Sequence, residues 1–475
     1  MEADATRHTP QGQPKPWQSA LILSVAAALI PVGVFCLHAD TAALLLADSA
    51  VTCALLVLCG GSYRQVEEEI THNVGRMAIP IVRLLAVGAM IGVWMACGTV
   101  PYLIYCGMRF LTPGLFLPAV CLLCTAVSTL AGTSWGTVAT VGVACMSIAG
   151  GLGLPAGLAA GAVVTGALFG DKLSPLSDST ALTASLTGTP LMEGIRHALR
   201  STGPAYLVSL AFFLISGLRY RAGTVGGEDY ALILSALRER FFLHPVLLLP
   251  PALLFMLILL KKPTIPAFAA GIASGCVLAV VLQGVSPSNL AFYMASGFKT
   301  GLEQPILAQM LHRGGISSML PTAGLLLAAC VFGAPIRVCG AMELLLGVIR
   351  RRAHSAGALA NGVLLLHGLF FAVTGSYYVS APVVAAMTVE LFPACGLSPK
   401  NLMRILQDTG AGLSALIPWS ATGVYIATVL GLNGTLGYVL YAPMLWLSIL
   451  ISLFMGLSGI GLARLNATAP SPQGT

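Results

Sequence analysis

Six stretches of this chain (19–37, 41–59, 201–217, 242–260, 264–283 and 437–461) run almost free of charge for close to the length that crosses a bilayer. Roughly 20 apolar residues suffice for a helix to traverse the hydrocarbon. Within hydrocarbon every backbone N–H and C=O must be satisfied internally, so runs of this length specify helices. Composition agrees, because only 9% of the 475 residues are charged while 57% are hydrophobic and the mean hydropathy is +0.88. Soluble domains carry about 25% charged residues. The chain is therefore expected to be an all-α polytopic membrane protein.

The net charge of +7 is spread over short loops. That distribution fits orientation in a membrane and excludes a nucleic-acid surface. The cysteines, among them Cys36, Cys97, Cys145 and Cys330, sit in apolar segments as small hydrophobes. The C-x-x-C of Cys121 and Cys124 has no second pair or histidine beside it and is read as packing rather than a metal or redox site. No cofactor is expected.

The chain divides at its longest polar insertion. The expected organisation is a cytoplasmic tail over 1–18, a membrane half over 19–217, a linker over 218–241, a second membrane half over 242–462 and a C-terminal tail over 463–475. The halves resemble each other. Each opens with two spans and a semi-polar stretch (60–80 and 295–315), in the first of which Glu67, Glu68 and Glu69 read as the wet face of an interfacial helix. Each then carries an apolar run broken by Gly and small polar residues, "GTSWGT" at 132–137 and "TGSYY" at 374–378, and ends in an interrupted helix. Ser134 precedes Ser174 by 40 positions and Ser376 precedes Ser414 by 38. A run too long for one crossing and broken at its centre reads as a re-entrant hairpin with its tip inside protein. The expected architecture is thus an inverted repeat of five transmembrane helices plus one re-entrant hairpin each, with broken helices at the midplane, as in secondary transporters. With the N-terminus inside, Arg64, Arg76, Arg196, Arg200, Lys261, Lys262, Arg350, Arg351, Arg352, Lys400 and Arg404 fall on the cytoplasmic side, and Arg109, Arg219, Arg221, Arg238 and Arg240 outside.

The first break is "GDKLSPLSDST". Pro175 stops a helix entering at 155, and Ser177, Asp178, Ser179 and Thr180 are residues that start another. Carbonyls and hydroxyls left without helical partners become ligands for a hard cation such as Na⁺. A carboxylate there would exchange that cation for a proton, because both seek the same oxygens. Asp171 and Asp178 are the first-half candidates and Asp408 the second-half one, and these three are the candidate Na⁺ ligands. Ser174, Ser177, Thr180, Thr133, Ser134, Ser376 and Ser414 supply the hydroxyls. Simpler readings stand beside these. Asp171 and Lys172 pair at a helix end, Asp178 only caps, Trp135 and Trp419 pack, and His367 packs between helices.

At these motifs the chain resembles the NhaC-type Na⁺/H⁺ antiporters of the ion transporter superfamily. "GTSWGT", "GDKLSPLSDST", "IRHAL", "RGGISSML" and "NLMRILQDTGAGLSALIPW" occur in that family's order over about 60–460. The resemblance implies exchange of Na⁺ for H⁺ across the bacterial cytoplasmic membrane, with Na⁺, H⁺ and the lipid bilayer as partners. Some relatives instead couple malate or lactate to Na⁺ and H⁺. It also implies a homodimer with a scaffold domain and a mobile transport domain. Three positions depart from the family pattern: Ala181 and Ser420 where Asn is usual, and Gln407 where Glu is usual. The expected absence of a buried Arg beside either break favours a cation over a carboxylate substrate. An intramembrane aspartyl protease is excluded by "LFGD", which lacks the first Gly of G-x-G-D.

Overall fold

The computed structural model describes residues 14–33, 40–110, 113–220, 227–260, 262–299, 314–341, 355–432 and 437–465, with 311 and 347 as isolated positions. Cys36, Arg221, Lys261, Arg350, Arg351, Arg352 and most of both tails lie outside these residues. The described chain is all-helical apart from a single antiparallel bridge, Leu397 to Arg464. Among the described residues nine helices are long and apolar enough to cross a membrane, and up to eleven if each of two bent pairs counts as one span.

In the first half, α1 (Pro16–Pro31) and α2 (Thr41–Leu58) lead into α3 (Tyr63–Ala96). The semi-polar stretch expected as a separate interfacial helix is the first part of α3, which runs 34 residues without a break. Its membrane-length portion is Met77–Ala96. Glu67 and Glu68 are exposed as expected, while Glu69 pairs with Arg337 at 2.5 Å. Then follow α4 (Thr99–Phe110), α5 (Pro113–Ala131), α6 (Ser134–Thr137) and α7 (Val143–Gly151), the last two joined through a π-turn, Val138–Gly142. The first break separates α8 (Ala156–Leu173) from α9 (Asp178–Thr187), and α10 (Leu191–Tyr220) closes the half.

The polar linker contains α11 (Gly227–Arg240), from which the chain turns by 93° towards α12 (Leu249–Leu259). The second half continues with α13 (Thr264–Gln283), α14 (Pro287–Ser296), α15 (Ile316–Val338), α16 (Ala356–Thr374), α17 (Tyr377–Thr388) and α18 (Leu391–Ala394). The second break, a 45° bend, separates α19 (Lys400–Leu416) from α20 (Ala421–Val429), and α21 (Pro443–Ser458) ends the bundle. The first arms of the two glycine-broken runs, α5 and α16, have 19 residues each, so each is long enough to cross the membrane by itself.

The largest apolar cluster runs through α3, α5, α7, α8, α10 and α13. At its centre α8 lies on α5, and "GALFG" explains the closeness. A Cβ at Gly166 would stand 2.2 Å from the Cys121 carbonyl oxygen, and one at Gly170 would stand 2.4 Å from that of Thr125. Small residues four apart let helix backbones meet where no hydrophobic drive separates lipid from protein. Ser128 uses the approach to donate to the Ala167 carbonyl at 2.6 Å. Gly166→Leu should therefore lower the unfolding free energy by about 1–3 kcal/mol or more. Gly203→Ala on α10, whose Cβ would meet nothing nearer than 4.0 Å, should be nearly neutral. Thermal unfolding of the two variants in detergent checks the contrast.

Candidate functional site

The two breaks and the two glycine-hinged tips surround one cavity of about 140 Å³. At the first break the helix stops where Pro175 removes a donor. Ser174 leaves helical geometry, and Ser177 caps α9 by accepting from the Thr180 N–H at 3.4 Å. At the second break, Pro418 plays the same part. Ser420 caps α20 by accepting from the Gly423 N–H at 2.9 Å and donates to the Ser414 carbonyl.

Each tip is docked on the break of its own half. Gly132 holds φ +67° and lies so close that a Cβ would stand 2.6 Å from the Leu176 backbone. Gly375 holds φ +60° with Trp419 O 3.1 Å from the corresponding point, and its carbonyl accepts from the Ala421 N–H at 3.0 Å. The halves also meet. Trp135 of the first tip stacks on Tyr425 of α20 at 4.2 Å, and the Tyr425 hydroxyl donates to Trp135 O. Trp419 donates its ring N–H to Ala372 O at 2.6 Å, while Trp135 also lines the cavity.

Asp171, Ser134, Thr133, Ser177, Thr180, Asp178, Ser376 and Ser414 all line this cavity. Ser174, fully buried, lies behind it and accepts from the Leu176 N–H. The Asp171 carboxylate accepts from Ser134 Oγ at 2.9 Å. Among the described residues no cation lies within ion-pair distance of it. Asp178 is the exposed carboxylate and sits in the first turn of α9, where the helix dipole favours it; the cap is Ser177. Ser376 is buried, and its hydroxyl finds no partner among the described residues. Thr133 caps α6 and Thr180 donates to Lys172 O at 3.5 Å, while Ser414 donates to Ala411 O at 2.9 Å.

Asp408 is not in the cavity wall. It is fully buried behind it, with Lys172 and Ser201 donating to Oδ1 and Arg404 donating to Oδ2 at 3.2 Å. Lys172 also donates to Thr202 Oγ1 at 2.5 Å, and Arg404 to Ser452 Oγ at 2.5 Å. Lys172 pairs with Asp408 of the other half rather than with its neighbour Asp171, so the simpler reading of a local pair is set aside. Arg404 is 0% exposed and pairs with Asp408 one turn along α19, which corrects the expected absence of a buried arginine in this interrupted helix. Its i,i+4 spacing from Asp408 was the available signal. A second arginine, Arg83 of α3, lines the cavity itself, and its Nε has no partner among the described residues. Nothing in its sequence neighbourhood marked it.

The departures fall unevenly. Ala181 is exposed and Ser420 is a helix cap. Gln407 lines the cavity, donates to Thr183 Oγ1 at 3.3 Å and leaves its Oε1 without a partner. His367 is held between Thr409 and Ser380 as a packing histidine. Among the described residues no group of three His, Cys, Asp or Glu side chains could hold a metal ion, so any cation here is met by carboxylate, hydroxyl and carbonyl oxygens.

Membrane-length helices with two interrupted segments meeting at one polar cavity are the construction of a secondary transporter. The comparisons with known proteins narrow that class. The family model described as "Na+/H+ antiporter family" matches residues 14–185 and 166–460. The chain belongs to this family, and so is a multi-pass membrane antiporter. Its relatives include the malate-2H(+)/Na(+)-lactate antiporter of Bacillus subtilis, 33% identical over 82% of each chain. The Na(+)/H(+) antiporter NhaC of Alkalihalophilus pseudofirmus is 32% identical over 94% of this chain and 97% of its own. The arginine/ornithine antiporter ArcD of Halobacterium salinarum is 28% identical over 95% and 93%.

The ion-pair cluster gives an asymmetric expectation. Asp408→Asn strips the partner from two buried cations and should cost about 3–5 kcal/mol. Lys172→Gln leaves Asp408 paired with Arg404 and should cost less. The double variant should recover part of the loss, as read by thermal unfolding in detergent.

Proposed function

We propose that the protein exchanges Na⁺ for H⁺ by alternating access across the bacterial cytoplasmic membrane, as a homodimer built from an inverted repeat of five crossings and one hairpin per half. One observation carries this reading. Asp171 is a half-buried carboxylate in the wall of the central cavity, served by the Ser134 hydroxyl and with no cation within ion-pair distance among the described residues. Such a group binds either a proton or a small cation, and binding one expels the other.

In this reading Asp171 is the shared ligand. Ser134 turns its hydroxyl from donor to acceptor when a cation replaces the proton, since a hydroxyl carries both functions. The carbonyls left open at the end of α8 and the hydroxyls of Ser177 and Thr180 complete the oxygen cage, and the α8 C-terminus adds partial negative charge. Asp178 stands where an arriving cation meets it, and Ser376 offers an uncommitted oxygen from the second tip. Asp408 serves differently. Saturated by Lys172 and Arg404, it fixes the back of the site rather than ligating the cargo.

A second reading has its own observation. Arg83 presents an unpartnered Nε to the cavity, and a guanidinium there suits a small organic carboxylate, the cargo named for the malate/lactate relative. Purified protein in liposomes with a trapped pH dye, challenged in turn with Na⁺, Li⁺, K⁺ and organic acids, separates the two. Na⁺ alone should dissipate the gradient, whereas a response to malate or lactate with none to Na⁺ overturns the first reading. In the same assay Asp171→Asn should lose exchange almost entirely while still inserting, because a neutral amide is cheaper to bury than a carboxylate. The apparent Na⁺ affinity of the wild type should weaken as pH falls, by up to about tenfold per unit. Unchanged, pH-dependent exchange in Asp171→Asn would place the proton elsewhere.

A further inference from the structure

Away from the cavity, in a helix that contributes nothing to it, lies a carboxylate the transport reading does not use. Asp48 is the eighth of the 18 residues of α2, 1% exposed, and therefore near mid-depth of a membrane-length helix. Neither of its carboxyl oxygens has a hydrogen-bond partner among the described residues. The two hydroxyls next to it are already committed. Ser49 donates to Val331 O of α15 at 3.1 Å, and Thr52 donates to the backbone oxygens of Asp48 and Ser49 at 2.8 and 3.1 Å. One turn earlier Leu45 packs with Ala26 and Ile30 of α1 and with Ala328 and Phe332 of α15.

Among the described residues no ion pair compensates it. Helix α1 contains no ionisable side chain between Pro16 and Pro31. Helix α15 carries Arg337, engaged by Glu69, and Cys330, whose thiol contacts Asn73 O. Helix α3 meets α2 at its far end, where Leu56 and Cys53 pack with Val66 and Ile70. Of the described charged side chains on α3, Arg64 pairs with Glu68, Glu69 pairs with Arg337, Glu67 and His72 are exposed, and Arg83 lines the cavity. An ionised carboxylate buried there with neither a cation nor a donor among the described residues is costly, while the neutral acid is tolerable.

We propose that Asp48 is a proton-binding site of its own, separate from the central cavity: a carboxylic acid that keeps its proton in the contact of α2 with α15 and releases it at alkaline pH at the expense of that contact. The location gives the proton leverage. Helix α15 is the neighbour of the second tip, since Leu326, Ala329 and Gly333 line a small cavity with Thr374, Gly375 and Ser376. A negative charge appearing between α2 and α15 would loosen the helix on which that tip rests. The inference is independent of which species the cavity exchanges.

Infrared spectroscopy of the full chain in liposomes tests it without any transport assay. The wild type minus Asp48→Asn difference spectrum at pH 7 should contain the carbonyl stretch of an unbonded carboxylic acid, above the amide band, and this should give way to carboxylate stretches in alkaline buffer. A difference spectrum at pH 7 holding carboxylate stretches alone overturns the proposal, as does an acid band that persists unchanged at every alkaline pH at which the protein stays folded. Should Asp48→Asn fail to fold, wild type treated with dicyclohexylcarbodiimide, which attacks protonated acids in apolar surroundings, supplies the second measurement. Peptide mass mapping should find the adduct on Asp48 at pH 6 and several-fold less at pH 9. Adducts on the exposed Glu67 or Glu68 but none on Asp48 count against it.

Discussion

Two cations sharing one carboxylate hold the interior of this protein in register. Lys172 is on α8 of the first half, Arg404 and Asp408 are on α19 of the second, and Ser201 and Thr202 of α10 and Ser452 of α21 close the shell. Each charge alone would pay several kcal/mol to leave water. Only this geometry repays that cost, so four helices from both halves are bound to one arrangement. Asp171, the next residue to Lys172 on α8, is outside this cluster among the described residues, and its carboxylate accepts from Ser134 instead.

The second constraint is steric. Both tips reach their breaks through a glycine in the left-handed region, Gly132 against Leu176 and Gly375 against Trp419. A side chain at either position would be strained by its φ before it met the opposing backbone. The same joint appears twice in chain order, with a serine following each: Ser134 on Asp171, Ser376 uncommitted. Tip and break in each half are therefore tightly packed pairs. The cavity lies between the pairs, which Trp135 on Tyr425, Gln407 on Thr183 and Lys172 on Asp408 join directly.

Much of this was written in the sequence and some was not. Helical class, the two breaks and the two tips followed from proline, glycine and hydroxyl residues inside apolar runs, because those residues act on the backbone locally. Asp171, Ser134, Ser177 and Thr180 were legible for the same reason. The partner of Lys172 was not, since 236 positions separate it from Asp408 and no local rule reaches that far. The burial of Arg404 was not legible either, because its contact with Ser452 of α21 lies 48 positions away along the chain. Helix α3 was divided at its change of polarity, yet backbone geometry does not register hydropathy: the polar turns continue as helix beyond the apolar portion.

Gln407 shows how the two constraints meet. The family pattern puts a carboxyl at this position, one residue before the trio's Asp408, and here the neutral amide faces the cavity with Oε1 unsatisfied. A glutamate there would add a third carboxylate to a cavity wall that already holds Asp171 and Asp178 together with the guanidinium of Arg83. With glutamine the cavity interior retains a single titratable carboxyl, Asp171, because Asp178 is exposed to water. On the Na⁺/H⁺ reading Asp171 is then the carboxyl that holds the proton, with the neutral amide of Gln407 beside it in the wall. Glutamine in place of glutamate removes a charge and one of the two side-chain oxygens, and leaves a single neutral amide oxygen facing the cavity.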